Sequence, residues 1–600
     1  MRTKTCAAFM AIATISLFLA FAPSILYAQA GEYSLPTHHV REAVVDGQAR
    51  IVGLLPGTQH IGIAIMLPLR NQEGLNDLLH KLYDRHSPSY RHYLTVQQFT
   101  ERFGPTQDDY DAVIHFAQAN GMTVNSTSPN RLVVDVTTTV ANANKAFHVA
   151  MGIYQHPTEN RTFYAPNREP SVDLRVPLWH IAGLDNYSIP RPTVKRAPMG
   201  QTIANITGSG PGGTSYLASD MRAAYYGSGP LTGSGQAVGL VEFDGYYISD
   251  VASSFDGHAT SSTNGNNYIL TYTASGVPYN IPINNVLLDG ASSAPITPDP
   301  CGGDCEAEVV LDIVQPIGMA PGLSQVRVYI APYSSEPANG GDGDVLIFNR
   351  MAADDIAMQL SCSWTWEPDD PKTDEPIFLE FQTQGQSFFS ASGDDGSWSH
   401  PAYYYPQEDP DVTAVGGTDL TTNGAGGSWA SETAWVYSGG GPSPDGFPIP
   451  PYQQIAGVIN SSNKGSTTLR NAPDVAAEAN NDNYNCASLA GGCTGTWGGT
   501  SFAAPRWAGF MALVNQNNAA FGDSPEGFIN LFIYPIGVGP TYGSYFHDIA
   551  SGNNDCCGQS VYYKAVIGYD LVTGWGSPLA TGWLTPGLYW WPAVQYLLLK

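Results

Sequence analysis

The sequence predicts an α/β protein, built on a parallel sheet with helices on both faces and preceded by a smaller α+β unit. Three observations carry this prediction. Apolar strand-like runs "AVGLVEF", "QVRVYIAP" and "IAMQLSCSW" alternate with helical stretches around 304–315, 346–355 and 374–386, and such alternation is the mark of crossover helices between parallel strands. Upstream, helical segments "GLNDLLHKLYDRH" and "DDYDAVIHFAQANG" mix with strand-like runs "HIGIAIMLPL" and "RLVVDVTTTV", the pattern of an α+β sandwich. Charge divides the chain at the same place. Residues 1–194 hold 15 basic and 15 acidic side chains and residues 195–600 hold 11 against 38, so the whole net charge of −27 lies in the second part. Histidine divides the other way, with ten of thirteen before residue 194.

Taken in order, residues 1–30 read as a secretory signal peptide: a charged start, an apolar run from about Cys6 to Leu26, and the small-residue end Ala28-Gln29-Ala30. The other reading is an uncleaved anchor; either way the protein is expected to be exported. Residues 31–190 form the α+β unit. Residues 191–215, "RPTVKRAPMGQTIANITGSGPGGTS", are rich in Pro, Gly and Ser and carry Arg191, Lys195 and Arg196; they read as a linker open to proteolysis. Residues 216–600 form the larger α/β domain, whose apolar end "LYWWPAVQYLLLK" is too short to span a bilayer. So acidic a surface excludes nucleic acid as a partner and disfavours membranes. Seven cysteines follow Cys6; the close pairs Cys301/Cys305 and Cys486/Cys493 suit disulfides in an exported chain, the pairing of Cys556 with Cys557 stays open, and no Cys or His pair has a partner at zinc spacing.

The stretch "GGTSFAAP" sets Ser501 among small residues at the start of a helix, where backbone N–H groups face whatever binds. By itself it fits a nucleophile or a helix cap. A nucleophile needs a base, and none of His258, His400 and His547 sits at a strand or helix end of the second part. In "CGGDCEAEVVLDIVQPIGMAPG", Glu308 and Asp312 lie four apart, on one face of a helix and one turn from each other. That is either a solvated acidic face or a pair that, once buried, cannot ionise fully. Below about pH 5 a carboxylate still serves as a base where an imidazole is protonated. The third element, "SFFSASGDDGSWS", ends an apolar strand in Asp394. Asp394 is a turn residue or, if kept protonated, a hydrogen-bond donor to an oxyanion.

These motifs, in this order, resemble the sedolisin family of serine-carboxyl peptidases. Further likeness comes from "SGGGPSPDGFPIPPYQQ", from Arg470–Ala477 as an RxxPDVAA pattern, and from "HSPSYRHYLTVQQFTERFGPT" in the first part. The resemblance implies a subtilisin-like fold preceded by a propeptide domain, with Ser501 as nucleophile, Glu308 as base and later acid, Asp312 orienting Glu308, and Asp394 as oxyanion donor. Glu242 and Ser363-Trp364 match positions that extend the carboxyl network in some members. In "YFHDIASGNNDCCG" and "YYKAVIGYDLVTGWG", Asp548 and Asp570 offer oxygen ligands of the kind calcium takes, or form ordinary Gly/Asp turns. The resemblance implies one Ca²⁺ per catalytic domain, at Asp548, Ile549, Val566, Gly568 and Asp570. The implied function is a secreted, acid-acting endopeptidase made as a zymogen, with protein and peptide substrates and its own propeptide as inhibitor and chaperone. Two alternatives stand beside it: a tripeptidyl exopeptidase of the same family and a catalytically idle binding protein.

Overall fold

The computed structural model describes residues 33–197, 207–333, 341–399 and 404–585. The expected signal peptide, His400, the central part of the linker and the C-terminal tail lie outside the described residues.

The first unit is an α+β sandwich of a four-stranded and a three-stranded antiparallel sheet. Its strand His60–Met66 pairs along its length with Val133–Thr139. Ile61, Ile63 and Ile65 point to one face and form a core with Val134, Val136 and Phe147, the period-2 alternation of a strand. The helix Gln72–Tyr83 starts where the Asn71 side chain accepts from Gly74 N. Its buried residues Leu75, Leu78, Leu79 and Leu82 make one apolar stripe. That stripe joins the core of the second domain, and Tyr83 donates to Gln382 O at 2.8 Å.

In the second domain the longer strands are β1 (Ala237–Glu242), β2 (Ala259–Asn264), β3 (Asn267–Ala274), β4 (Val277–Leu287), β5 (Gln325–Ile330), β6 (Gln359–Cys362), β7 (Ser387–Ala391), β8 (Thr413–Thr422), β9 (Trp429–Ala434), β10 (Val475–Glu478), β11 (Asn483–Ala487) and β12 (Gly492–Gly498). The helices used below are α1 (Asp304–Met319), α2 (Gly343–Asp354), α3 (Glu375–Gln384) and α4 (Thr500–Ala520). The main sheet runs β2-β3-β4-β5-β1-β6-β7-β8-β9, with β10 also on β8. Its centre, from β4 to β8 and on to β10, is parallel. The expected parallel sheet is thus present, and antiparallel strands, which the sequence reading did not identify, close both ends: the hairpins β2-β3-β4 and the strand β9 have short connections, which only antiparallel neighbours can use. Helices α1 and α4 pack on each other within the core, and every described residue of α1 from Cys305 to Met319 is buried. A helix apolar nearly all round has no solvent face, so the solvated reading of Glu308 and Asp312 is excluded.

Cys301–Cys305 and Cys486–Cys493 are bridged as expected, Cys556 is bridged to Cys557, and Cys362 is a buried free thiol.

The two units meet across polar and charged contacts. His180 Nε2 lies 2.9 Å from Asp369 and His38 Nδ1 3.0 Å from Asp370, while His39 stacks on His180 at 4.3 Å. Two of the histidines of the first unit, His38 and His180, thus face carboxylates of the second domain.

Candidate active site

Three elements converge at the C-terminal ends of the parallel strands, the end at which open α/β sheets hold ligands. Ser501 is the second residue of α4, whose N-cap Gly499 has φ +134°. A methyl group at Gly499 would lie 2.5 Å from Asp394 Oδ2 and 3.1 Å from Thr193 O, so only glycine leaves room for both to approach this point.

Asp394 follows the end of β7 and is held by Thr500, whose backbone N–H and Oγ1 each donate to Oδ1 at 2.8 Å. Gly393 N in turn donates to Thr500 Oγ1 at 3.0 Å. The second oxygen, Oδ2, is buried without a hydrogen-bond partner. Burial pushes the Asp394 carboxyl up to about 7, against the Lys195 cation and the Thr500 donors, which pull it down.

On α1, Glu308 and Asp312 are fully buried beside one another. Burial first, and then repulsion from Asp312, holds Glu308 well above the usual carboxylate range, although the Ser501 hydroxyl and the Val194 N–H favour its charged form. Burial raises Asp312 to about 8, opposed by hydrogen bonds from Ser363 and Glu242. Ser363 Oγ donates to Asp312 Oδ1 at 2.7 Å, and Trp364 Nε1 donates to Glu242 Oε2 at 2.9 Å from the end of β1. Burial and the Asp312 charge raise Glu242 as well. Three carboxyls in one dry network cannot all ionise, so they hold shared protons.

Among the described residues no histidine joins this site. His547 stacks on Trp429 at 4.1 Å, and His258 follows a turn before β2.

The cleft between these elements is filled by the chain itself. Residues of the expected linker, read as building no packed element, form two short strands here. Arg191-Pro192 pairs antiparallel with Trp364-Thr365, and Lys195-Arg196 with Trp497-Gly498 of β12. Backbone pairing needs no side-chain periodicity, so no sequence pattern announces it. Between the strands, the Thr193 and Ser501 hydroxyls lie 2.7 Å apart, and Val194 N donates to Glu308 Oε2 at 2.8 Å. The sequence reading missed Thr500, Gly499 and this segment; the first two lie inside the "GGTS" string that drew attention to Ser501.

The five expected calcium positions fall in two neighbouring loops. Gly568 N and the Tyr542 hydroxyl donate to Asp548 Oδ1 at 3.1 and 3.0 Å; Val566 N, Val572 N and Thr573 N donate to the Asp570 carboxylate at 2.8 to 3.0 Å. Burial raises Asp570 to about 7 and raises Asp548 also, and the groups that oppose it are hydrogen-bond donors with no basic side chain among them. An exposed Asp548 carboxyl and a buried Asp570 carboxyl in adjoining loops are hard oxygen donors of the kind a divalent ion takes. The other cluster of ligand atoms, Asp299 with Cys301 and Cys305, offers no thiolates, because its sulfurs are joined to each other.

Comparison with known proteins bears on the whole chain. Residues 48–187 match the family described as "Pro-kumamolisin, activation domain" and residues 322–527 match the "Subtilase family". Kumamolisin of Bacillus sp. (strain MN-32) is 29% identical over 89% of this chain and 92% of its own length. Sedolisin of Pseudomonas sp. (strain 101) is 27% identical over 95% of this chain and 93% of its own. Xanthomonalisin of Xanthomonas sp. (strain T-22) is 28% identical over 89% of this chain, which spans 66% of that protein.

Proposed function

The chain belongs to the sedolisin family of serine-carboxyl peptidases and carries that family's activation domain, and from this premise we propose that it is an exported acid endopeptidase made as a zymogen. Ser501 is the nucleophile. Glu308 takes its proton and returns it to the leaving amine, Asp312 orients Glu308 through the shared-proton network, and protonated Asp394 donates to the oxyanion. The observation that carries this reading is the meeting of a buried serine, a buried carboxyl pair and a buried acid raised to about 7 around one stretch of peptide. All four side chains are in place, which leaves the idle binding protein without support.

An endopeptidase is favoured over a tripeptidyl peptidase by the run of chain through the cleft. It crosses Ser501 without a break, from Ser188, whose Oγ accepts from Glu367 N at 2.8 Å, to Ala197, whose N donates to Thr496 O at 2.9 Å. A cleft closed three residues from the serine would not take it. Peptides with acetylated N-termini are therefore expected to be cut by the matured enzyme at pH 4 as fast as free ones, as judged by product masses. Tripeptide release from free N-termini alone would establish the exopeptidase.

Asp548 and Asp570, with the carbonyls of Ile549, Val566 and Gly568, are proposed to hold one Ca²⁺, which would tie the two loops together and supply the positive charge their carboxylates lack. An ion bound only by the folded state at 100 times its Kd stabilises by about 2.7 kcal/mol. Chelation at pH 6 should thus lower Tm by a few degrees in the wild type and leave Asp548→Ala unmoved. An equal drop in both would remove calcium from these loops. Export rests on the N-terminal sequence; among the described residues no helix is long and apolar enough to cross a membrane.

A further inference from the structure

Two demands identify the peptide bond that a serine-carboxyl site can cut: its carbonyl oxygen must face the oxyanion donor and its nitrogen must face the acid that protonates the leaving group. One bond of the cleft segment meets both. Thr193 O and Asp394 Oδ2 lie within 3.1 and 2.5 Å of the same point above Gly499, and Val194 N donates to Glu308 Oε2 at 2.8 Å. The bond before it fails, since Thr193 N is committed to Ser363 O at 3.1 Å. Backbone pairing on both sides, to Trp364-Thr365 and to Trp497-Gly498, locks this register.

Beyond the bond, the next two side chains are read by the cleft. Lys195 Nζ lies 2.6 Å from Asp395 Oδ1 and 5.4 Å from the Tyr437 ring centre. Arg196 lies over the Trp497 ring at 5.4 Å and donates to Ala490 O at 2.8 Å. These are attractive contacts for cations of any substrate chain lying in the same path.

We infer that Thr193–Val194 is the bond this enzyme cuts in its own chain, and that Asp395, Tyr437 and Trp497 make it favour substrates with basic side chains two and three residues beyond the cut. The inference rests on the peptidase reading above. In the step itself, Ser501 Oγ bonds to the Thr193 carbonyl carbon while its proton passes to Glu308. The C–N bond then breaks as Glu308 gives that proton to Val194 N, which leaves as the new amino terminus. Water hydrolyses the Thr193 ester, its proton passing by way of Glu308 back to Ser501 and its hydroxyl completing the Thr193 carboxyl.

The test follows the full-length protein after a shift to pH 4, with N-terminal sequencing of the first fragments and a parallel assay on denatured protein. Val194 is the expected first new N-terminus, and Val194→Pro, which removes the N–H that faces Glu308, should suppress that cut. A first N-terminus elsewhere in a protein that digests denatured substrate would overturn the register and leave the peptidase reading intact; digestion of no substrate at all would overturn that reading itself. In the second arm, matured enzyme is given two peptides that differ only in Lys-Arg or Ala-Ala at the second and third positions after the cut. The expected preference for Lys-Arg is about three- to tenfold in kcat/KM at low salt, reduced in Asp395→Ala. Equal rates on both peptides would overturn the recognition of basic residues.

Discussion

Replacing Glu308 with Gln is expected to lower kcat/KM on denatured protein at pH 4 by about 10⁴-fold, and replacing Ser501 with Ala by about 10⁶-fold. The double variant should be no slower than Ser501→Ala, because the two side chains act on one proton and cannot be lost twice. Each variant would be matured by an added protease that is then removed, since neither is expected to mature itself. Gln keeps the shape of Glu308 and an oxygen on its hydrogen-bonding edge, so the loss reads proton transfer rather than collapse of α1. The pH profile gives an independent check. Asp394, raised by burial to about 7, donates only while protonated, so activity should fall as pH climbs through about 7. Asp394→Asn, a donor at every pH, should carry the alkaline limb upward, whereas Asp394→Ala should cost about 10²- to 10³-fold throughout. A rate optimum above pH 7, or a Glu308→Gln enzyme within tenfold of wild type, would mean that the base is another group.

The second large effect is on stability. Full-length Ser501→Ala protein should melt highest near pH 4 and about 10 °C lower at pH 8. Asp312 and Glu380 are raised by burial to about 8 and Asp482 to about 7. In the unfolded chain such groups ionise near pH 4, while in the folded one they stay protonated. Between pH 4 and pH 8 the folded state therefore binds more protons, and stability falls as pH rises through the folded values. One fully linked group contributes at most about 1.36 kcal/mol per pH unit. The buried His39, held below its usual value by burial and by His180 beside it, has the opposite sign: its contribution is present above about pH 6.5 and is lost on acidification, at the contact between the two units. Scanning calorimetry from pH 3 to pH 8 decides the matter, and a melting maximum above pH 7 would contradict this account.

The sequence made some of this plain for reasons that are local. Residues 304–319 are apolar on every side except at Glu306, Glu308, Asp312 and their neighbours, so the helix and the oddity of its carboxyls could both be read along the chain. Ser501 and Asp394 stood out because short glycine-bounded strings mark chain reversals at strand ends. What could not be read was long-range. Ser363 reaches Asp312, and Trp364 reaches Glu242, across 51 and 122 residues, where only the resemblance pointed. The antiparallel ends of the sheet were missed because β2 to β4 are polar, half-exposed strands without the apolar runs that reveal buried ones. Residues 191–197 looked like plain linker, because their order comes wholly from backbone partners elsewhere in the chain.

If residues 188–197 are cut where they thread past Ser501, as inferred above, the kinetic order of activation follows. A substrate tethered to its own enzyme is present at an effective concentration set by the fold, not by the amount of protein in solution. On that inference activation runs as a clock in each molecule, indifferent to dilution, and a single copy would awaken as quickly as a crowded population.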